Sequence, residues 1–253
     1  MPSLGGDRWV LSLKRTSGDP AVRLICFPYA GGSPDLFRSW AGAVGDRVEL
    51  LAVALPGRGR RIREPLYQDW ETLLADTFAA LSPYLQEPHA FYGHSFGGRL
   101  AYELAHLTAV RHPGRTRHLF VSGCRSPDVP QARPYLHQLS ETAFRDALRE
   151  MGGTPAEVLD NRVMMRLLLP TVRSDIRLAE LWEDRHSKGV DVKLTAMYGR
   201  EDHIDGRASM RGWRSYTNRE CELIEMPGGH FFLETHRRTL LNVINERLGV
   251  QDA

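Results

Sequence analysis

The segment Gly93-His94-Ser95-Phe96-Gly97 sets a serine between two glycines, each two residues away. A serine hydroxyl is a weak nucleophile. It attacks a carbonyl only when a base takes its proton and a third group holds that base. The chain offers ten histidines for the base. His230 stands out, in Pro227-Gly228-Gly229-His230-Phe231-Phe232. Two acids compete to orient it. Asp202 follows a strand-like stretch in Tyr198-Gly199-Arg200-Glu201-Asp202, and Asp128 follows an earlier one. Asp202 is favoured; Glu201 and Asp205 read as solvated loop charges. An oxyanion formed at the attacked carbonyl needs two backbone N–H donors. One is Phe96, next after the serine. The other comes from Tyr29-Ala30-Gly31-Gly32, with Ala30 favoured over Tyr29, since glycines let backbone approach a substrate closely.

Apolar runs of strand length carry these residues. They are Val22–Pro28, Val48–Leu55, His89–Gly93, Arg117–Gly123, Val190–Tyr198 and Cys221–Met226. Stretches with three-and-four spacing alternate with them: a helix starting at Ser33-Pro34, then Trp70–Leu85, Phe96–Ala109, Arg207–Tyr216 and Phe231–Leu248. Strands alternating with helices predict an α/β fold, a mostly parallel, doubly wound sheet covered on both faces. Ser95 then sits on a tight strand-to-helix turn. Ser95, Asp202 and His230 all follow strands, so they gather at one sheet edge. His94 adjoins the serine but points away from it. His106, His112 and His118 read as surface or packing residues, while His203 and His236 flank the site.

From about 126 to 188 the rhythm changes. Glu141–Met151, Pro155–Leu169 and Thr171–Arg185 are helical patterns with no strand among them, punctuated by Gly152-Gly153 and Pro170. This predicts a helical lid inserted into one domain spanning 1–253. Met151, Met164, Met165, Leu167, Leu168 and Leu169 are its candidates for lining an acyl chamber.

Composition narrows the function classes. The 253 residues are 42% hydrophobic and 25% charged, with formal net charge +2. That is ordinary globular composition and gives no reason to expect nucleic-acid binding. The first strand is followed by no G-x-G-x-x-G, which argues against a dinucleotide site. Cys26, Cys124 and Cys221 lie in or beside apolar stretches and read as buried free thiols, and no spacing suggests zinc. MPSLGGDRWVLSLKR carries charges where a signal peptide has its apolar run, and no stretch is long enough for a membrane span. The expectation is a cytoplasmic monomer. Basic residues comprise thirty arginines and three lysines. Codon usage explains most of that bias. An arginine rim that docks an acidic partner is a further reading, with Arg58, Arg60 and Arg61 as candidates by position.

Four segments taken in order resemble the type II thioesterases, stand-alone α/β-hydrolases that accompany polyketide synthases and nonribosomal peptide synthetases. They are Phe27–Ser33 (FPYAGGS), Leu55–Arg60 (LPGRGR), Gly93–Gly98 (GHSFGG) and Gly228–Leu233 (GGHFFL). Ser122–Pro127 and Leu168–Asp175 also resemble that family's segments around its lid. The resemblance spans about residues 22–248. It implies an α/β-hydrolase fold and removal of stalled or wrong acyl groups from the phosphopantetheine arm of acyl or peptidyl carrier proteins. It implies Ser95, Asp202 and His230 as the triad, Ala30 and Phe96 as oxyanion donors, and no metal or organic cofactor. An esterase or lipase acting on oxygen esters, or an acyl-CoA hydrolase, is the alternative. Family members often have Met where Phe96 stands and Asp-Pro where Asp202-His203 stands. The phenylalanine is expected to narrow the acyl pocket.

Overall fold

A computed structural model describes residues 8–131 and 134–250. The start of the N-terminal segment read for targeting, residues 1–7, lies outside them, as do residues 132–133 within the expected lid. Seven strands form one sheet in the order β1-β3-β2-β4-β5-β6-β7. They are β1 (Val10–Lys14), β2 (Val22–Phe27), β3 (Val48–Val53), β4 (His89–His94), β5 (Thr116–Ser122), β6 (Lys193–Gly199) and β7 (Cys221–Met226). Every neighbouring pair from β3 to β7 is parallel; only β1 runs antiparallel, along β3. The expected mostly parallel α/β sheet is therefore present.

The strand residues alternate between two cores. Ile25, Phe27, Phe91, Leu119 and Val121 face α1 (Trp70–Leu85) and α2 (Phe96–Arg111). Leu24, Cys26, Ala90, Tyr92 and Phe120 face the other side, under a 3-10 turn at Pro34–Trp40 and the C-terminal helices. Burial on both faces is why these strands read as unbroken apolar runs. Cys26 and Cys124 are buried free thiols, but Cys221 is only half-buried, at an edge strand.

Between β5 and β6 the chain passes through α3 (Glu141–Met151), α4 (Ala156–Asp160) and α5 (Arg162–Glu180). These helices share a third apolar cluster, built on Phe144, Leu148, Leu159, Met165, Leu169 and Ile176. Pro170 does not divide them as expected: α5 runs through it. Proline removes one intrahelical hydrogen bond, and side chains of the same helix tie it to the rest of the molecule. Thr171 Oγ1 donates to the Gly57 carbonyl at 2.7 Å, Ser174 Oγ to Tyr67 at 3.1 Å, and Arg177 to Gln68 at 2.7 Å. The chain then passes α6 (Arg207–Met210) and ends in α7 (Phe232–Thr235) and α8 (Arg237–Leu248). The last two were read as one helix, but His236 leaves the helical region at φ −121°, ψ 34°.

The turn from β4 into α2 is tight. Ser95 has φ 53° and is the one non-glycine residue at positive φ among those described. Its N–H donates to the Ser122 carbonyl at 2.8 Å, and its own carbonyl accepts from Gly98 at 2.9 Å. A Cβ at Gly93 would lie 2.0 Å from the Gly97 carbonyl oxygen, and one at Gly97 would lie 2.3 Å from that of Phe27. Only glycine fits at either position. A strained non-glycine residue costs about 1–3 kcal/mol, against roughly 0.5–1 kcal/mol for glycine's extra chain entropy.

Ser95→Gly is therefore expected to be more stable than Ser95→Ala by about 1 kcal/mol in denaturant unfolding, since only glycine relieves the strain. Equal stabilities would mean the turn stores none. Buried histidines supply a second prediction. Burial holds His89 and His118 down to about 4, and holds His94 well below the ordinary histidine value. Below about pH 6.5 the unfolded chain takes up protons that these rings refuse. Their contribution is thus fully present above that pH and is lost as pH falls toward 4. Tm measured across this window should fall, and less steeply in His118→Gln.

Candidate active site

All the parallel strands point the same way, so loops after β2, β4, β6 and β7 meet at one edge. Ser95 follows β4, the central strand. Ala30 lies in the loop after β2, Asp202 in the turn after β6, and His230 between β7 and α7. His230 Nδ1 lies 2.8 Å from Asp202 Oδ2, with both side chains buried. An ionised carboxylate only accepts, so the proton sits on Nδ1 and Nε2 is left as the basic nitrogen. The other oxygen, Asp202 Oδ1, accepts from the N–H groups of Ile204 (2.8 Å) and Asp205 (2.9 Å). Burial by itself raises the Asp202 carboxyl, but His230 and the two N–H groups outweigh it and hold the carboxyl below the usual aspartate range. The acid stays ionised and aimed at neutral pH.

Ser95 and His230 line one cavity of about 40 Å³, together with Ala30, Leu148, Met151 and Ile176. The cavity is roofed by α3 and α5. Phe96 is the first residue of α2, so its N–H has no acceptor within the helix and is available to a substrate. Its side chain is buried against Trp70, with ring centroids 5.6 Å apart, and does not narrow the cavity as expected. Met165 and Leu169 are buried in the helices' own core, while Met164 and Leu167 are exposed. Of the six chamber candidates only Met151 lines the cavity.

Asp128, the competing acid, lies elsewhere, with its carboxylate against Gly212. Asp205 was read as solvated but is buried, paired with Arg125 at 2.7 Å. Its burial follows from the turn that offers its N–H to Asp202. Arg58 and Arg61 are not rim residues. Arg58 is buried on Asp175, and Arg61 is buried on Glu64 with its guanidinium over the Trp9 ring. Arg60 is exposed.

Two neighbours were missed. His94 does turn from the serine, but its ring packs edge-on against His230, with centroids 5.0 Å apart, and its Nδ1 bonds Ser122 Oγ at 2.9 Å. Gly123, at φ 50°, makes room for both rings: a Cβ there would lie 2.7 Å from His94 Cε1 and 3.2 Å from His230 Cε1. A glycine at the end of the apolar run Arg117–Gly123 was its only trace in the sequence. Among the described residues, the group with ligand atoms close enough for a metal is Glu103, Asp184 and His186, which contains no residue of this site.

Residues 22–248 match the family described as Thioesterase domain. Thioesterase PikA5 of Streptomyces venezuelae is 36% identical over 90% of this chain and 81% of its own. The RedJ thioesterase from the prodiginine pathway of Streptomyces coelicolor superimposes with a TM-score of 0.84 at 37% identity, covering 92% of this chain and 94% of its own. BorB, the type II thioesterase of the borrelidin cluster, reaches a TM-score of 0.87 at 32% identity, covering 97% of this chain and all of its own. With a match across nearly the whole chain, and with a buried carboxylate–imidazole pair and an elbow serine on the same sheet edge, this protein belongs to the thioesterase family and has the α/β-hydrolase fold.

Proposed function

We propose that the chain is a type II thioesterase that hydrolyses acyl groups from the phosphopantetheine arm of carrier proteins in polyketide or nonribosomal peptide assembly. The observation that carries the chemistry is the 2.8 Å contact between His230 and Asp202, beside a cavity shared with Ser95. The family match and the relatives named from such pathways support the substrate class.

Ser95 Oγ attacks the thioester carbonyl while His230 Nε2 takes its proton. Asp202 holds the ring in the required tautomer and stabilises the imidazolium that forms. The tetrahedral oxyanion accepts from the N–H groups of Phe96 and Ala30. Its collapse breaks the C–S bond, and the His230 imidazolium gives its proton to the departing sulfur, which leaves as a thiol of pKa ~8.5 and frees Nε2 to act again as a base. Water then attacks the acyl-serine, giving a proton to His230. The released carboxylic acid leaves Ser95 with its hydroxyl restored. The cavity beside Ser95 has room for about one or two waters. α3 and α5 cover this cavity through Leu148, Met151, Val172 and Ile176, in the place of a lid over the site.

The reading is tested by offering one acyl group on a carrier protein, on coenzyme A and as an oxygen ester. The carrier-bound thioester should show the highest kcat/KM, and Ser95→Ala should abolish turnover of all three. Equal or faster hydrolysis of the oxygen ester would make the chain a general esterase, and a preference for coenzyme A would make it an acyl-CoA hydrolase. Asp202→Asn should lower kcat by about four orders of magnitude with the fold retained, because the imidazole tautomer is then wrong. Asp128→Asn should stay close to the unsubstituted rate; a reversed result would reassign the acid.

A further inference from the structure

Asp175 is a buried carboxylate with no part in the steps above. It lies on α5 and is 4% exposed. Its Oδ2 accepts from the Gly31 N–H at 2.8 Å and from Arg58 Nη1 at 2.7 Å, and its Oδ1 accepts from Arg58 Nη2 at 2.9 Å. Arg58 is 5% exposed. Its Nη1 also donates to the Gly32 carbonyl at 3.1 Å, and its Nε donates to the Pro56 carbonyl at 3.1 Å. Together the two side chains grip both glycines that follow Ala30. The helix presses on the same loop: a Cβ at Gly31, whose φ is 76°, would lie 2.5 Å from Val172 Cγ2.

The grip reaches the oxyanion donor through covalent geometry. The Gly32 N–H donates to the Tyr29 carbonyl at 2.8 Å. That carbonyl and the Ala30 N–H belong to one peptide plane, which is rigid. Fixing Gly31 from Asp175 and Gly32 from Arg58 therefore fixes the direction of the Ala30 N–H. Glycine backbone has no preferred conformation of its own to do this. A buried ion pair adds little net stability compared with apolar packing of the same volume. A charged acceptor does make a stronger, better-directed hydrogen bond to an N–H.

We propose that Arg58 and Asp175 are positioning residues: they aim the Ala30 N–H at the developing oxyanion and make its alignment depend on α5 being seated. The proposal rests on the assignment of Ser95 as nucleophile and Ala30 as donor. The seat of α5 therefore sets the alignment of the hole, through Asp175 on the Gly31 N–H and Val172 against the same glycine.

The test uses the charge-free double variant Arg58→Met/Asp175→Leu, with Asp175→Ala, Asp175→Asn and Ser95→Ala beside it. An acyl thioester of N-acetylcysteamine is the substrate, and an alkyl boronic acid, which forms a tetrahedral anion on serine, is the inhibitor. The double variant should fold, lose roughly 10- to 100-fold in kcat, bind the boronic acid more weakly by a similar factor, and keep its KM. Asp175→Asn, whose amide oxygen still accepts from Gly31, should keep more of kcat than Asp175→Ala; this comparison also serves if the double variant does not fold. Unchanged kcat and boronic-acid affinity would overturn the proposal, as would a raised KM with kcat intact or equal losses in the Asn and Ala variants. Turnover surviving in Ser95→Ala would overturn the nucleophile assignment instead.

Discussion

Parallel pairing of the strands from β3 to β7 is the constraint on which the rest depends. A parallel sheet sends every chain segment back across a face before the next strand begins, so every strand's carboxyl end opens at the same edge. Residues as distant in sequence as Ala30, Ser95, Asp202 and His230 thereby reach one small region without any long loop. The central place of β4 puts Ser95 between the loop after β2 and the turns after β6 and β7. Burial on both faces makes this frame stiff. Stiffness is what allows a strained serine and a buried carboxylate to persist.

Two buried carboxylates on this frame have different jobs for the same physical reason. Asp202 is held by His230 and two backbone N–H groups, and Asp175 by a guanidinium fork and one backbone N–H. Out of water a carboxylate is tolerable only where donors surround it. Once surrounded, it fixes the direction of everything that donates to it. Asp202 orients an imidazole, and Asp175 a glycine-rich loop. Arginine serves in the second case because its planar fork grips both carboxylate oxygens while its remaining N–H groups reach carbonyls.

Much of the frame was legible because two-sided burial writes itself as continuous apolar runs. Cys221–Met226 and Trp70–Leu85 match their expected bounds, and the other strands differ by a few residues. β1 was missed because it is a five-residue edge strand whose mixed run Val10-Leu11-Ser12-Leu13-Lys14 shows no clear period, in a segment read for targeting. The start of β6 was placed three residues early, at Val190. There Val190 pairs with Thr217 only as an isolated parallel bridge, and the continuous ladder to β7 begins at Leu194. Pro170 signals a helix end locally, and contacts made from Thr171 to Arg177 override it.

By itself the sequence determined the tight turn at Ser95, the order of strands and helices, and the placing of a serine, an acid and a histidine after strands. These depend on local sterics and on periodicity, which neighbouring residues carry. Only the tertiary structure decided that Asp202 rather than Asp128 meets His230, that His94 and Gly123 shape the imidazole's seat, and that Arg58 and Arg61 are internal. It also decided that Met165 and Leu169 on α5 pack in the helices' own core while Met164 and Leu167 face solvent. Each of these is a matter of distance between segments far apart in the chain, and charge or hydrophobicity alone does not say whether a side chain meets water, a partner or a substrate.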